Sequence, residues 1–142
     1  MFEHLLIINI AATLFMTGLI WFVQVVHYPG FSRVGEQDFR EYHGFHVLRT
    51  GIVVIPPMII ELATSIWLVV AFDRLWMFNV FGLALVIGIW LSTGLLQAPT
   101  HGRLQSDSSS SIISKLVATN WIRTVLWSVK AALGIYLLMK VI

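Results

Sequence analysis

The stretch Gln24-Val25-Val26-His27-Tyr28-Pro29-Gly30, followed after a charged interval by Tyr42-His43-Gly44-Phe45-His46-Val47-Leu48-Arg49, joins the end of one strongly apolar run to the start of the next. Proline and glycine at 29 and 30 stop a helix efficiently, so the run before them reads as one complete helical segment and the run after Arg49 as another. Between the two, Arg33, Glu36, Asp38, Arg40 and Glu41 alternate with Phe31, Val34, Phe39, Tyr42 and Phe45. That spacing is near helical and predicts a short amphipathic helix lying in a membrane interface. Three of the five histidines fall within this one stretch.

Outward from it, the chain is apolar almost throughout. Of its 142 residues 58% are hydrophobic and only 11% charged, against roughly 45–50% and about 25% in soluble domains. The expectation is a single integral-membrane domain spanning residues 1–142. Segments from about Leu5 to His27, His46 to Phe72, Trp76 to Ala98 and Leu116 to Lys140 are each long enough for a hydrocarbon core, which takes about 20 helical residues. The fold class read from this is all-α, a four-helix membrane bundle with the interfacial helix between helices one and two. The amino terminus, Met-Phe-Glu-His, lacks a positive region ahead of its apolar run and predicts a retained membrane helix.

Pro56-Pro57 falls inside the second segment and predicts a mid-membrane bend. Phe72 to Leu75 reads as a tight turn, and Ser106 to Ser111 as a hydrophilic loop able to cap the last helix. No internal repeat is evident. Arg33, Arg40, Arg49, Arg103, Lys115 and Arg123 flank the connections after helices one and three, whereas Arg74 and Lys140 flank the other side. The positive-inside rule then sets the first group toward the cytoplasm and both termini outside. His27, His43, His46 and His101 share the cytoplasmic end, and only His4 lies opposite.

Polar seams at helical spacing run along every segment: Asn9, Thr13, Thr17, Gln24 and His27; His46, Arg49, Thr50, Glu61 and Thr64; Trp90, Thr93, Gln97 and His101; Asn120, Arg123, Trp127 and Lys130. Polar groups are costly against lipid, so the seams face one another. The four histidines make a nitrogen ligand set for a transition metal, iron or copper ahead of zinc, with Gln24, Tyr42, Arg49, Gln97, Asn120 and Arg123 as supporting or substrate-binding groups. The alternative is that they anchor the interface by bonding to tyrosines, carbonyls and headgroups. Haem is a further reading, with His27 and His101 axial and Arg49 and Arg123 on the propionates. Arg49 and Arg123 otherwise bind an anion or snorkel.

Glu61 and Lys130 reach about the same depth, about 20 Å from that end, and read as an intramembrane ion pair. A lock between helices two and four is the first reading, a proton relay the second. Ala84, Gly88 and Ser92 form a small-residue face for packing within the chain or between copies. The absence of cysteine excludes disulfides, thiolate metal sites and thiol catalysis. No nucleophile, phosphate-loop or nucleotide motif is present. With a net charge of +2 and no basic stripe, nucleic acid is not an expected partner.

In the carboxy-terminal half, Pro99-Thr100-His101-Gly102-Arg103-Leu104 and then Asn120-Trp121-Ile122-Arg123-Thr124-Val125-Leu126-Trp127 resemble the anthrone-oxygenase-like family of small four-helix membrane proteins, which has many bacterial members. The resemblance implies a compact bundle in a bacterial inner membrane, with Trp121 and Arg123 in the helix-four motif. Taken with the histidines, the expected function is a metal-dependent membrane oxidoreductase or oxygenase acting on a hydrophobic small molecule. Haem-based electron transfer or sensing is one alternative; a non-enzymatic bundle binding lipid, quinone or an ion, possible also as a homo-oligomer, is another.

Overall fold

A computed structural model describes residues 1–141 as four long helices. Helix α1 spans Phe2–Arg33, α2 spans Glu36–Ala71, α3 spans Trp76–Leu104 and α4 spans Ser110–Val141, each long and apolar enough to cross a membrane. Each packs on its neighbours in sequence, and α4 closes the ring against α1, so the four form an antiparallel bundle. Both termini and the turn from Phe72 to Leu75 meet at one end, where Phe2, Leu6, Leu68 and Leu137 make a small apolar cluster. The larger cluster, around Met16, Ile20, Phe31, Met58, Ile89 and Trp127, reaches from the middle to the other end.

The distribution of side chains is the reverse of a soluble protein's. Asn9, Thr13, Gln24, His43, Glu61, Asn120, Arg123 and Lys130 are buried, while Ile8, Phe15, Phe22, Ile52, Ile59 and Leu95 are exposed. An outer face this apolar is suited to lipid and not to water.

The connection between α1 and α2 differs from the expected separate interfacial helix. Phe31–Arg33 forms one 3-10 turn, Val34 and Gly35 are extended, and the helix that starts at Glu36 runs on without a break. Nothing between Glu36 and His46 can stop it: Gly44 costs about 1 kcal/mol relative to alanine, and proline would be needed for more. The amphipathic segment is therefore the first turns of α2. At 36 residues that helix is about 54 Å long, well beyond a hydrocarbon core of about 30 Å. The helical backbone also continues through Pro56 and Pro57.

Prolines act differently in α1 and α3. Ahead of Pro29, Val23–His27 is a π turn closed by the Tyr28 N–H donating to the Val23 carbonyl. Ahead of Pro99, Thr93–Gln97 is another, closed by the Ala98 N–H donating to the Thr93 carbonyl. A proline ring clashes with the carbonyl four residues back, and widening the preceding turn relieves the clash while changing the helix phase. Both helices then carry on past the positions where the sequence suggests that they end. The result sets Tyr28 and His101 inside the bundle end and not beyond it.

Two glycines matter for packing. A Cβ on Gly134 would stand 3.0 Å from Ile10, so α1 and α4 cross closely there, and one on Gly88 would stand 3.3 Å from Leu126. The Gly88 position thus serves contact within the chain.

Candidate functional site

At the end opposite the termini, α2 presents His43, His46 and Thr50 at positions i, i+3 and i+7, which share one helix face. The π turn of α1 brings up His27 and Tyr28, and the last turns of α3 bring up His101. The His27 and His46 rings are 4.4 Å apart between centroids, His43 and His101 5.2 Å, and His46 and His101 5.7 Å. All four histidines singled out by the sequence thus meet in one cluster. Phe39 stacks on His43 at 5.6 Å, and the buried Phe31 ring meets His46 edge-on at 5.0 Å, closing the cluster on one side with aromatic surface.

Within the cluster the ring nitrogens are paired. His27 Nε2 and His46 Nδ1 lie 2.6 Å apart, with the Thr50 hydroxyl 3.0 Å from the same His46 nitrogen. His43 Nε2 and His101 Nδ1 lie 3.0 Å apart, and the Tyr28 hydroxyl is 2.9 Å from His101 Nε2. One nitrogen of each pair must carry the proton and the other accept it. His43 Nδ1, at the end of the Tyr28–His101–His43 chain, is buried with no partner. Among the described residues, no three His, Cys, Asp or Glu side chains are arranged around a common point as a ready metal site. The His46 ring is close to both His27 and His101.

The cluster opens onto a cleft of about 500 Å³ between α2 and α3, lined by Val47, Val54, Ile55 and Met58 on one side and Thr93, Gln97 and His101 on the other. Tyr28 and Arg123 also line it. Arg123 is 6% exposed. Its guanidinium carbon lies 5.3 Å from the centre of the Trp127 ring, and its Nε has no hydrogen-bond partner.

The remaining residues divide. Gln24 and Asn120 meet each other, the Asn120 amide donating to Gln24 Oε1 at 2.9 Å while the Gln24 amide donates to the Val117 carbonyl, which ties α1 to α4. The Gln97 amide donates to the Thr119 hydroxyl at 3.0 Å, leaving its Oε1 unpartnered. Tyr42 and Arg49 are not brought in: both are exposed, Tyr42 touching Phe31 edge-on and Arg49 lying over Phe45. Residues 42, 45 and 49 form the stripe one position away from 43, 46 and 50, about 100° around the helix, and that stripe faces outward. Tyr28 and Thr50 supply the hydroxyls of the cluster instead. Thr50 belongs to the α2 seam visible in the sequence, and the Pro29 that widens the turn was the available signal for Tyr28.

Deeper in the bundle, Lys130 Nζ lies 3.5 Å from Glu61 Oε1 and donates to Asn9 Oδ1 at 2.8 Å and the Thr13 hydroxyl at 3.0 Å. Glu61 accepts from the Thr13 hydroxyl at 2.6 Å and from Trp127 Nε1 at 3.0 Å. Asn9 in turn donates to the Glu61 carbonyl and to the Thr64 and Ser65 hydroxyls. Glu61 and Lys130 thus stand together in a network spanning α1, α2 and α4.

Comparison of the chain with protein-family models, with curated proteins and with solved structures finds no match.

Proposed function

We propose that His27, His43, His46 and His101 hold a transition metal, iron or copper, at the end of a cleft that receives a hydrophobic molecule from the bilayer, and that the protein is a membrane oxidoreductase. The observation that carries this reading is the meeting of four imidazoles from three helices, two of them with 5% or less of their surface exposed, at the wall of a mainly apolar cleft. Of the groups that interface anchors bond to, headgroups are out of reach of His43, none of whose surface is exposed, while His101 does meet the Tyr28 hydroxyl. Imidazole bonds to a metal of about 2.0–2.1 Å at tetrahedral angles set neighbouring nitrogens about 3.3–3.4 Å apart. The pairs at 2.6 and 3.0 Å are each within 1 Å of that spacing, although the four rings do not yet surround a common point.

When bound, such a metal would supply the redox chemistry. The chain's own residues hold and orient the substrate: Val54, Ile55 and Met58 take its apolar body, and Phe31 and Phe39 keep water from the histidines. The Tyr28 hydroxyl at His101 Nε2 fixes that ring and can hold or pass a proton there. We further assign the histidine-bearing end to the cytoplasmic face of a bacterial inner membrane, from the basic residues around it.

The test is elemental analysis of tag-free protein in mild detergent, after reconstitution with iron or copper, beside His43→Ala and His101→Ala. Stoichiometric metal in the wild type that is lost in both variants supports the reading. A metal-free wild type, or equal occupancy in the variants, overturns it.

A further inference from the structure

We propose that Arg123 makes the cleft a receptor for an amphiphile with a single negative head, a carboxylate carried on an apolar chain or ring system. The two buried cations among the described residues, Arg123 and Lys130, are treated in opposite ways. Lys130 has Glu61 at 3.5 Å, whereas none of the ion pairs among the described residues involves Arg123. Among the described residues, no Asp or Glu lines the cleft that Arg123 faces. A guanidinium does not shed its charge, so an uncompensated one buried in a membrane bundle calls for an anion from outside the chain. Its planar fork suits an oxyanion, and the unpartnered Nε keeps a donor for one.

The rest of the cleft selects the body of the ligand. Val54, Ile55 and Met58 give it an apolar wall, and a volume of about 500 Å³ is that of a site for one drug-sized molecule. Val47 and Ile55, which line the cleft from α2, are 40% and 53% exposed on the lipid-facing surface, so the ligand reaches it sideways from the bilayer. Among the described residues Arg123 is the only lysine or arginine in the lining, which matches one negative charge and not the two of a phosphate monoester. The inference rests on the cleft assigned above but does not require the metal.

Binding is measured by calorimetry on chelator-treated, full-length protein in neutral detergent, with oleate, oleyl alcohol and an alkyl phosphate as probes. Oleate should bind the wild type about 10- to 100-fold more tightly than oleyl alcohol, the factor expected for a hydrogen-bonded charge. Arg123→Met should erase that preference and melt close to the empty wild type, since losing the contact over the Trp127 ring is offset by removing a buried charge that has no acid partner. Gly51→Leu, which narrows the cleft from α2 and leaves Arg123 untouched, should weaken oleate and the alcohol together. The wild-type preference is independent of how any variant folds. Equal affinities for oleate and oleyl alcohol, or no oleate binding, would overturn the proposal, and so would tighter binding of the alkyl phosphate. Selectivity for oleate in metal-free protein that fails the elemental test would leave this inference standing and remove only the metal.

Discussion

Every charged or amide side-chain atom of Asn9, Glu61 and Lys130 themselves has a partner, the nearby Asn79 Oδ1 being left without one, while around His43 and Arg123 four buried polar atoms have none: His43 Nδ1, Gln97 Oε1, Asn120 Oδ1 and Arg123 Nε. Both regions lie in one bundle and use the same kinds of side chain. The deeper network closes on itself; the network at the cleft does not. In a low-dielectric interior a satisfied network rigidifies, and an unsatisfied one is a standing cost that a ligand can relieve. The contrast supports the proposed division, in which the ion pair holds α1, α2 and α4 together and the open end binds.

The contrast breaks first at Lys130. Lys130→Met leaves the Glu61 carboxylate buried and uncompensated, and should lower stability by about 3–5 kcal/mol, seen as loss of folded protein in denaturant titrations in detergent. Adding Glu61→Gln to it should restore much of that loss, because the uncompensated charge is then gone. A single variant as stable as the double one would contradict the lock. Trp127→Phe keeps most of the volume but removes the indole N–H that donates to Glu61, so it should cost about 1.5–3 kcal/mol in the same assay. The smallest effect belongs at Arg49, which is exposed over Phe45 and outside both networks. Arg49→Ala should change stability by less than about 0.5 kcal/mol and leave metal content and oleate binding unaltered. A clear loss of either would place Arg49 back in the site.

Much of this organisation is legible residue by residue. Counting 1.5 Å per residue along two apolar segments sets Glu61 and Lys130 at one depth, and the structure has them 3.5 Å apart. His43 and His46, three positions apart, share a face because no helix breaker separates them. Tyr42 and Arg49 look equally suitable in the sequence, since each is a helical step from a histidine. Which of two adjacent stripes turns inward depends on how α2 is rotated against α1 and α3. The π turns before Pro29 and Pro99 are equally hidden, because a proline near a helix end can stop a helix or widen its preceding turn.

By itself the amino-acid sequence determined four membrane-spanning helices, their antiparallel order and the end at which the histidines gather. Those follow from hydrophobic length and from the cost of exposing polar groups to lipid, both properties of each segment alone. Only the tertiary structure decided that Tyr28 and not Tyr42 meets the histidines, that Asn9, Thr13 and Trp127 complete the ion pair, and that Arg123 is left without an acid beside a cleft. Those outcomes depend on the rotation and separation of packed helices, which are set jointly by the side chains of all four and by no single segment.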